Sequence, residues 1–199
     1  MPIIEHNINK IDKYFITPNY SEKHSKDYYF RIEKLLDSGI KIIQFRSKNL
    51  EREDYSRVSR KIYNICKKYD ASYIINDYLN FNSNKYCDGI QLTSNNLKNI
   101  KKFNLDKRYI LIGSCHNIDE IKICNNLEIN LILISPVYST SNKSGIGWKK
   151  FKELVDESKI PVFALGGLKY PEDIENVKIN GGVGIAASKY FYGLFDSRQ

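Results

Sequence analysis

Residues able to do chemistry gather at the ends of apolar runs in this sequence. In "IKIIQFRSK", residues 40–48, a period of two places Ile40, Ile42, Gln44, Arg46 and Lys48 on one strand face. A face that is apolar at first and then turns to Gln, Arg and Lys suits contact with water or an anion, because a buried cation without either is costly. The same change recurs further along the chain. "SYIIND" ends in Asn76 and Asp77, and "YILIGSCHN" in Ser114, Cys115 and His116. "NLILISPVYSTSNKSGIGW" leaves its strand through Thr140, Asn142 and Lys143. The last two runs end in "ALGGL", with Gly166 and Gly167, and "GIAASK", with Ser188 and Lys189. Taken singly, each has an ordinary reading: a strand running into solvent, an Asn-Asp turn, a histidine bonded locally. Their recurrence at one level of several strands points to a shared site. An imidazole can accept and return a proton near neutral pH. Glycine amides with an adjacent hydroxyl and ammonium suit a phosphate.

Those strand ends need a frame that brings them together. Short β-branched runs at "KYFITP", "IKIIQFRS", "SYIIND", "DGIQLTS", "YILIGSC", "NLILISPVY", "IPVFALGG" and "GGVGIAAS" alternate with polar or amphipathic stretches. Alternation of this kind implies parallel pairing with helices outside. An open doubly wound sheet is the alternative, but eight units in 199 residues suit a compact (β/α)8 TIM barrel forming one domain over residues 1–199. In a barrel the C-terminal strand ends form one mouth, and loops after strands seven and eight often hold phosphate. The spacing predicts a helical stripe through Phe30, Leu35 and Leu36, and another through Val58, Ile62 and Ile65. Gly39 reads as a helix C-terminal glycine. The segment after "SYIIND" is helix-poor, which predicts an abbreviated crossover.

Composition narrows the class. Hydrophobic residues make up 42% and charged residues 27%, as in soluble globular proteins. No apolar run approaches the roughly 18 residues of a membrane span. The stretch "MPIIEHNINKIDK" lacks the layout of a signal peptide. Cys66, Cys87, Cys115 and Cys124 show neither disulfide nor zinc spacing, so reduced thiols and the cytoplasm are expected. The formal charge of +8 is spread along helical stretches among acids and apolar residues, which does not suggest nucleic acid as a partner.

"QFRSK", "IIND", "DGIQLTS", "IGSCHN", "SPVYSTSNKSG", "IPVFALGGL" and "NGGVGIAAS" follow the order and approximate spacing of the thiamine phosphate synthase/TenI superfamily, which this chain resembles from about residue 13 to 192. The resemblance implies a (β/α)8 barrel. It implies that Gln44, Arg46 and Lys48 face a pyrimidine diphosphate, that Asn76 contacts the pyrimidine, and that Ser114 and Lys143 lie on the diphosphate side. Thr140, Gly167, Ser188 and Lys189 match positions around a thiazole phosphate, and Asp77 matches one of two Mg2+-binding acids. Three positions depart from the synthase pattern. Gln91 stands at the usual His, Asn96 at the second acid, and Asn142 at a Thr. Mg2+ prefers anionic oxygen in a near-octahedral shell, which a neutral amide at Asn96 does not supply.

TenI-like relatives also lack that acid and can carry "QL" here. The phrasing is also similar to a subgroup known as a domain fused to Nudix hydrolases. The favoured expectation is therefore a TenI-like thiazole tautomerase without a cofactor. In it His116, with Ser114, serves the proton transfer, Gly166, Gly167, Ser188 and Lys189 hold the phosphate, and Arg46 and Lys48 meet the substrate carboxylate or line the pyrimidine side. The alternative is a thiamine phosphate synthase with Mg2+ at Asp77. A non-catalytic phosphate-ester binder is the third reading. The expected partners are small phosphate esters, with no nucleic acid or membrane, and a homo-oligomer is compatible. Tyr138 either closes over a ring or packs its loop, and the reactivity of Cys115 depends on its exposure.

Overall fold

The computed structural model describes residues 10–76, 86–99, 106, 108–141 and 143–195. Eight strands form a closed, all-parallel barrel in sequence order: β1 (Lys13–Ile16), β2 (Ile42–Phe45), β3 (Ser72–Asn76), β4 (Gly89–Leu92), β5 (Ile110–Cys115), β6 (Leu131–Ile134), β7 (Val162–Leu165) and β8 (Gly184–Ala187). The (β/α)8 barrel expected from the alternation is the observed architecture. Strand β8 closes on β1 through the pairs Lys13–Ile185, Tyr14–Ala186 and Phe15–Ala187.

Strand alternation divides the core in two. Inward side chains, including Tyr14, Ile42, Ile74, Ile112, Leu133 and Phe163, fill the barrel interior. Their neighbours Phe15, Ile43, Phe45, Ile75 and Ile132 point outward and pack beneath the helices. Each large apolar side chain fully buried this way contributes about 1.5–3 kcal/mol. Within the interior, Tyr14 meets Phe163 edge to face, with ring centroids 6.1 Å apart. The interior is therefore packed, leaving the mouth for chemistry.

Among the described residues the outer layer comprises α1 (Ser25–Asp37), α2 (Arg52–Lys68), α3 (Ser94–Lys98), α4 (Ile118–Asn125), α5 (Gly147–Asp156), α6 (Ile174–Ile179) and α7 (Lys189–Gly193). In α2, Val58, Ile62 and Ile65 are buried as the spacing predicts. Gly39 has φ +92°, a left-handed value that fits its place after α1. Phe30 corrects the expected α1 stripe, since it is 50% exposed beside Lys34. The buried face is instead Tyr28, Ile32, Leu35 and Leu36, spaced i, i+4, i+7 and i+8. Phe30 lies two residues past Tyr28, about 200° around the helix and off that stripe.

Buried Arg31 ties the first and last helices together. Its Nη1 donates to the Tyr192 carbonyl at 3.1 Å, and its Nε donates to Asp27 at 2.7 Å. The predicted abbreviated crossover after β3 falls on residues 77–85, outside the described residues. Among the described residues no helix is long and apolar enough to cross a membrane.

Candidate active site at the barrel mouth

One side of the mouth is built by β2 and the loop after β1. Gln44 lies in the ladder between Ile16 and Ile74 and is 2% exposed. Its Nε2 is buried and has no hydrogen-bond partner among the described residues. Beyond it, four bonds fix the loop that carries Arg46 and Lys48. The Arg46 amide donates to Thr17 Oγ1 at 3.0 Å, and the Lys48 amide to Asn19 Oδ1 at 3.1 Å. The Tyr20 amide donates to Ser47 Oγ at 2.9 Å, and Asn49 Nδ2 to the Tyr20 carbonyl at 2.9 Å. These side-chain caps hold the backbone and leave the cationic heads of half-buried Arg46 and exposed Lys48 for another partner.

Asn76 ends β3 in register with Gln91, which follows it in β4. Gln91 is buried, and its amide joins two hydroxyls. Tyr14 donates to Oε1 at 3.3 Å, and Nε2 donates to Ser114 Oγ at 2.6 Å. Ser114 is half-buried at the top of β5.

His116 follows directly after β5. Its amide donates to Glu120 Oε2 at 2.7 Å, while Asn117 caps α4 by accepting from the Glu120 amide. The ring Nδ1 lies 2.6 Å from the Ser135 carbonyl oxygen. A carbonyl can only accept, so Nδ1 carries a proton and Nε2 is the ring nitrogen turned away from Ser135. Adjacent Cys115 is buried, 3.6 Å from Cys124 Sγ. The Cys124 thiol and burial both push its pKa far up, which removes it from the nucleophile candidates.

Across the mouth, the ends of β6, β7 and β8 surround a cavity of about 620 Å³. Thr140, Gly166, Gly167, Ser188 and Lys189 all line it, which brings five of the expected residues together. Gly166 has φ +108° and Gly167 φ +71°. An added Cβ would lie 2.5 Å from Pro136 Cβ at Gly166, and 2.8 Å from Tyr138 Cβ at Gly167. Glycine is thus required here by the loop after β6. That loop is fixed by Tyr138, whose hydroxyl donates to Asp173 at 3.1 Å and accepts from Trp148 Nε1 at 3.0 Å. Tyr138 therefore packs its loop. Lys143 pairs with Thr140 across a short turn and is exposed, and Asn142 between them is outside the described residues.

Several residues at the mouth were not singled out by sequence reasoning. Ser139, Ser141, Lys169 and Tyr190 line the cavity. Lys169 directly follows "GGL", so its position was a usable signal. Thr17, Asn19 and Glu120 act through the backbone, which no motif records.

The Mg2+ position divides differently. Asn96 sits in α3 in a capping box with Thr93. The Asn96 amide donates to Thr93 Oγ1, and its side-chain oxygen accepts from the Thr93 amide, both at 3.2 Å. That oxygen is turned onto the main chain. Asp77 lies outside the described residues, and among the described residues no group of three or more His, Cys, Asp or Glu could hold a metal. The residues present do not fit a two-carboxylate Mg2+ site.

The family model described as thiamine monophosphate synthase matches residues 13–190. The chain belongs to the thiamine phosphate synthase/TenI family. It is 30% identical over 191 residues to a protein of Fusobacterium nucleatum named thiamine-phosphate synthase, covering 94% of this chain and 91% of that one. It is 29% identical to a thiamine-phosphate synthase of Methanococcus vannielii, over 94% of this chain and 90% of the other. The solved structure of thiamine phosphate pyrophosphorylase from Pyrococcus furiosus superposes with a TM-score of 0.79 at 23% identity, covering 94% and 90% of the two chains. At that identity the likeness speaks for the fold of the family.

Proposed function

We propose that this chain is a thiamine phosphate synthase, condensing hydroxymethylpyrimidine diphosphate with thiazole phosphate and releasing diphosphate. The tautomerase expected first from the sequence becomes the second reading, because the relatives that match nearly end to end carry the synthase name.

The observation that carries the proposal is the division of the mouth into two separate regions suited to anions. The β7–β8 side offers a glycine-walled cavity with Ser188 and Lys189, suited to the thiazole phosphate. The β2–β3–β5 side offers Gln44 Nε2, Arg46, Asn76 and Ser114. A condensation of two phosphorylated molecules sets a phosphate on one side and a diphosphate on the other, whereas the tautomerase's carboxylated thiazole phosphate would bring only a carboxylate to the β2–β3–β5 side. When diphosphate departs, negative charge grows on its bridging oxygen. Donors fixed beforehand at that position stabilise the transition state more than the ground state. Arg46 on its clamped loop, Ser114 and Lys143 are assigned that task. Holding both substrates at one mouth also turns a two-body encounter into an oriented one.

One observation favours the second reading, a thiazole tautomerase. The His116 ring, with Nδ1 donating to the Ser135 carbonyl, keeps Nε2 for the proton transfer such an isomerase would need.

The test is incubation with thiazole phosphate and its carboxylated tautomer, with and without the pyrimidine diphosphate, in Mg2+ or EDTA, followed by mass spectrometry and NMR. Thiamine phosphate that depends on the pyrimidine diphosphate supports the synthase. Tautomer exchange alone, unaffected by EDTA, supports the second reading.

A further inference from the structure

A hydrogen-bonded chain crosses the barrel interior beneath the mouth. It runs from Tyr14 on β1 through the Gln91 amide on β4 to Ser114 on β5, residues far apart in sequence. Tyr14 is 0% exposed and Gln91 2%, whereas Ser114 reaches the half-buried rim. The chain therefore has a sealed end and an open end.

The sealed end sets its direction. Burial pushes the Tyr14 pKa well up, so the phenol keeps its proton. A buried proton needs an acceptor, and the bond to Gln91 is the one hydrogen bond the Tyr14 hydroxyl makes among the described residues. Gln91 must then turn Oε1 to Tyr14 and Nε2 to Ser114. A serine oxygen that accepts from Nε2 has its own proton directed elsewhere, toward the mouth.

We propose that Gln91 is a positioning residue, anchored by Tyr14, that makes Ser114 a hydrogen-bond donor to the anionic oxygens of the diphosphate substrate. The identity of that anion rests on the synthase reading above. The amide works as an adapter because it has one accepting and one donating end. A carboxylate has two accepting ends, and a hydrocarbon has neither.

That asymmetry supplies the test. In Gln91→Glu, an ionised carboxylate accepts from both Tyr14 and Ser114 and draws the serine proton inward. The protonated acid can donate to Ser114 as the amide does. Position 91 is flanked in the ladder by uncharged Asn76 and Ile112, and wild type is measured over the same pH range as the reference, so the difference between the two pH curves reads the introduced carboxyl. Calorimetric titration of the full chain with hydroxymethylpyrimidine diphosphate in Mg2+ buffer, from pH 5 to 8.5, reads the effect. We expect Gln91→Glu to bind at least roughly tenfold more weakly than wild type at the alkaline end and to approach it at the acid end. Gln91→Leu, Ser114→Ala and their double variant supply a second measurement. Loss of the relay predicts that the double variant binds no more weakly than Ser114→Ala alone. A pH-independent difference for Gln91→Glu, or additive losses in the double variant, would overturn the relay while leaving the synthase reading standing. Failure of the wild type to bind the pyrimidine diphosphate at any pH overturns both.

Discussion

His116 Nδ1 stands 2.6 Å from the carbonyl oxygen of Ser135, and that bond joins the end of β5 to the end of β6. Ser135 precedes Pro136, the residue against which Gly166 packs. The imidazole is therefore fixed between the ends of β5 and β6, with Nε2 turned away from Ser135.

This placement separates the two enzyme readings by one substitution. In His116→Ala, thiamine phosphate formation is expected to fall less than about tenfold, because the expulsion of diphosphate is assigned to Arg46, Ser114 and Lys143. Removing a general acid–base would lower a tautomerisation by about 10²–10⁴-fold. Steady-state rates for both reactions on one preparation check the prediction.

Arg46 makes no side-chain bond to another described residue, while Thr17 holds its amide. Its guanidinium is available to a substrate anion. Arg46→Met keeps the apolar stem and removes the charge. Hydrogen bonds to charged groups contribute roughly 1.5–3 kcal/mol, so KM for the pyrimidine diphosphate should rise about ten- to hundredfold. KM for thiazole phosphate should change by less than about threefold. Equal losses for both substrates would contradict the two-sided mouth.

Gly167→Ala tests the opposite wall. At φ +71°, with Tyr138 Cβ 2.8 Å from the new methyl, the substitution should destabilise the fold by about 1–3 kcal/mol. It should also weaken thiazole phosphate binding, since Thr140 and Gly167 share the cavity wall. Denaturant unfolding and calorimetry of the same variant read the two effects separately.

Cys87 gives a pH dependence with a definite sign. Burial, followed by the charge of Asp88, pushes its thiol up to about 12. The unfolded chain loses that proton near pH 8.5. A raised folded pKa favours the fold fully below the unfolded value, and the advantage is lost as pH rises from there toward the folded value. Unfolding free energy should decline from about pH 8.5 upward, and Cys87→Ala should flatten part of that decline relative to wild type.

The barrel was legible because β-branched runs alternating with amphipathic stretches have one compact closed solution at this length, and strand order followed sequence order. Gly166, Gly167, Ser188 and Lys189 were legible because they lie at the ends of adjacent strands. Phe30 was misread because it lies about 200° around α1 from Tyr28, off the stripe that Leu35 and Leu36 share. The Tyr14–Gln91–Ser114 chain was not legible. Nothing in "KYFI", "GIQL" or "ILIGSC" shows that closure brings these three side chains together across the interior. The amide of Asn96 was legible as a neutral side chain, but its capping with Thr93 depends on where α3 begins.

The claim of two anion regions at one mouth has a direct test. Inorganic diphosphate with Mg2+ is titrated into the chain, first alone and then with saturating thiazole phosphate, and heats of binding are recorded. Two distinct regions predict that diphosphate binds with one-to-one stoichiometry in both titrations and that thiazole phosphate does not displace it. Mutual exclusion of the two ligands would contradict the account.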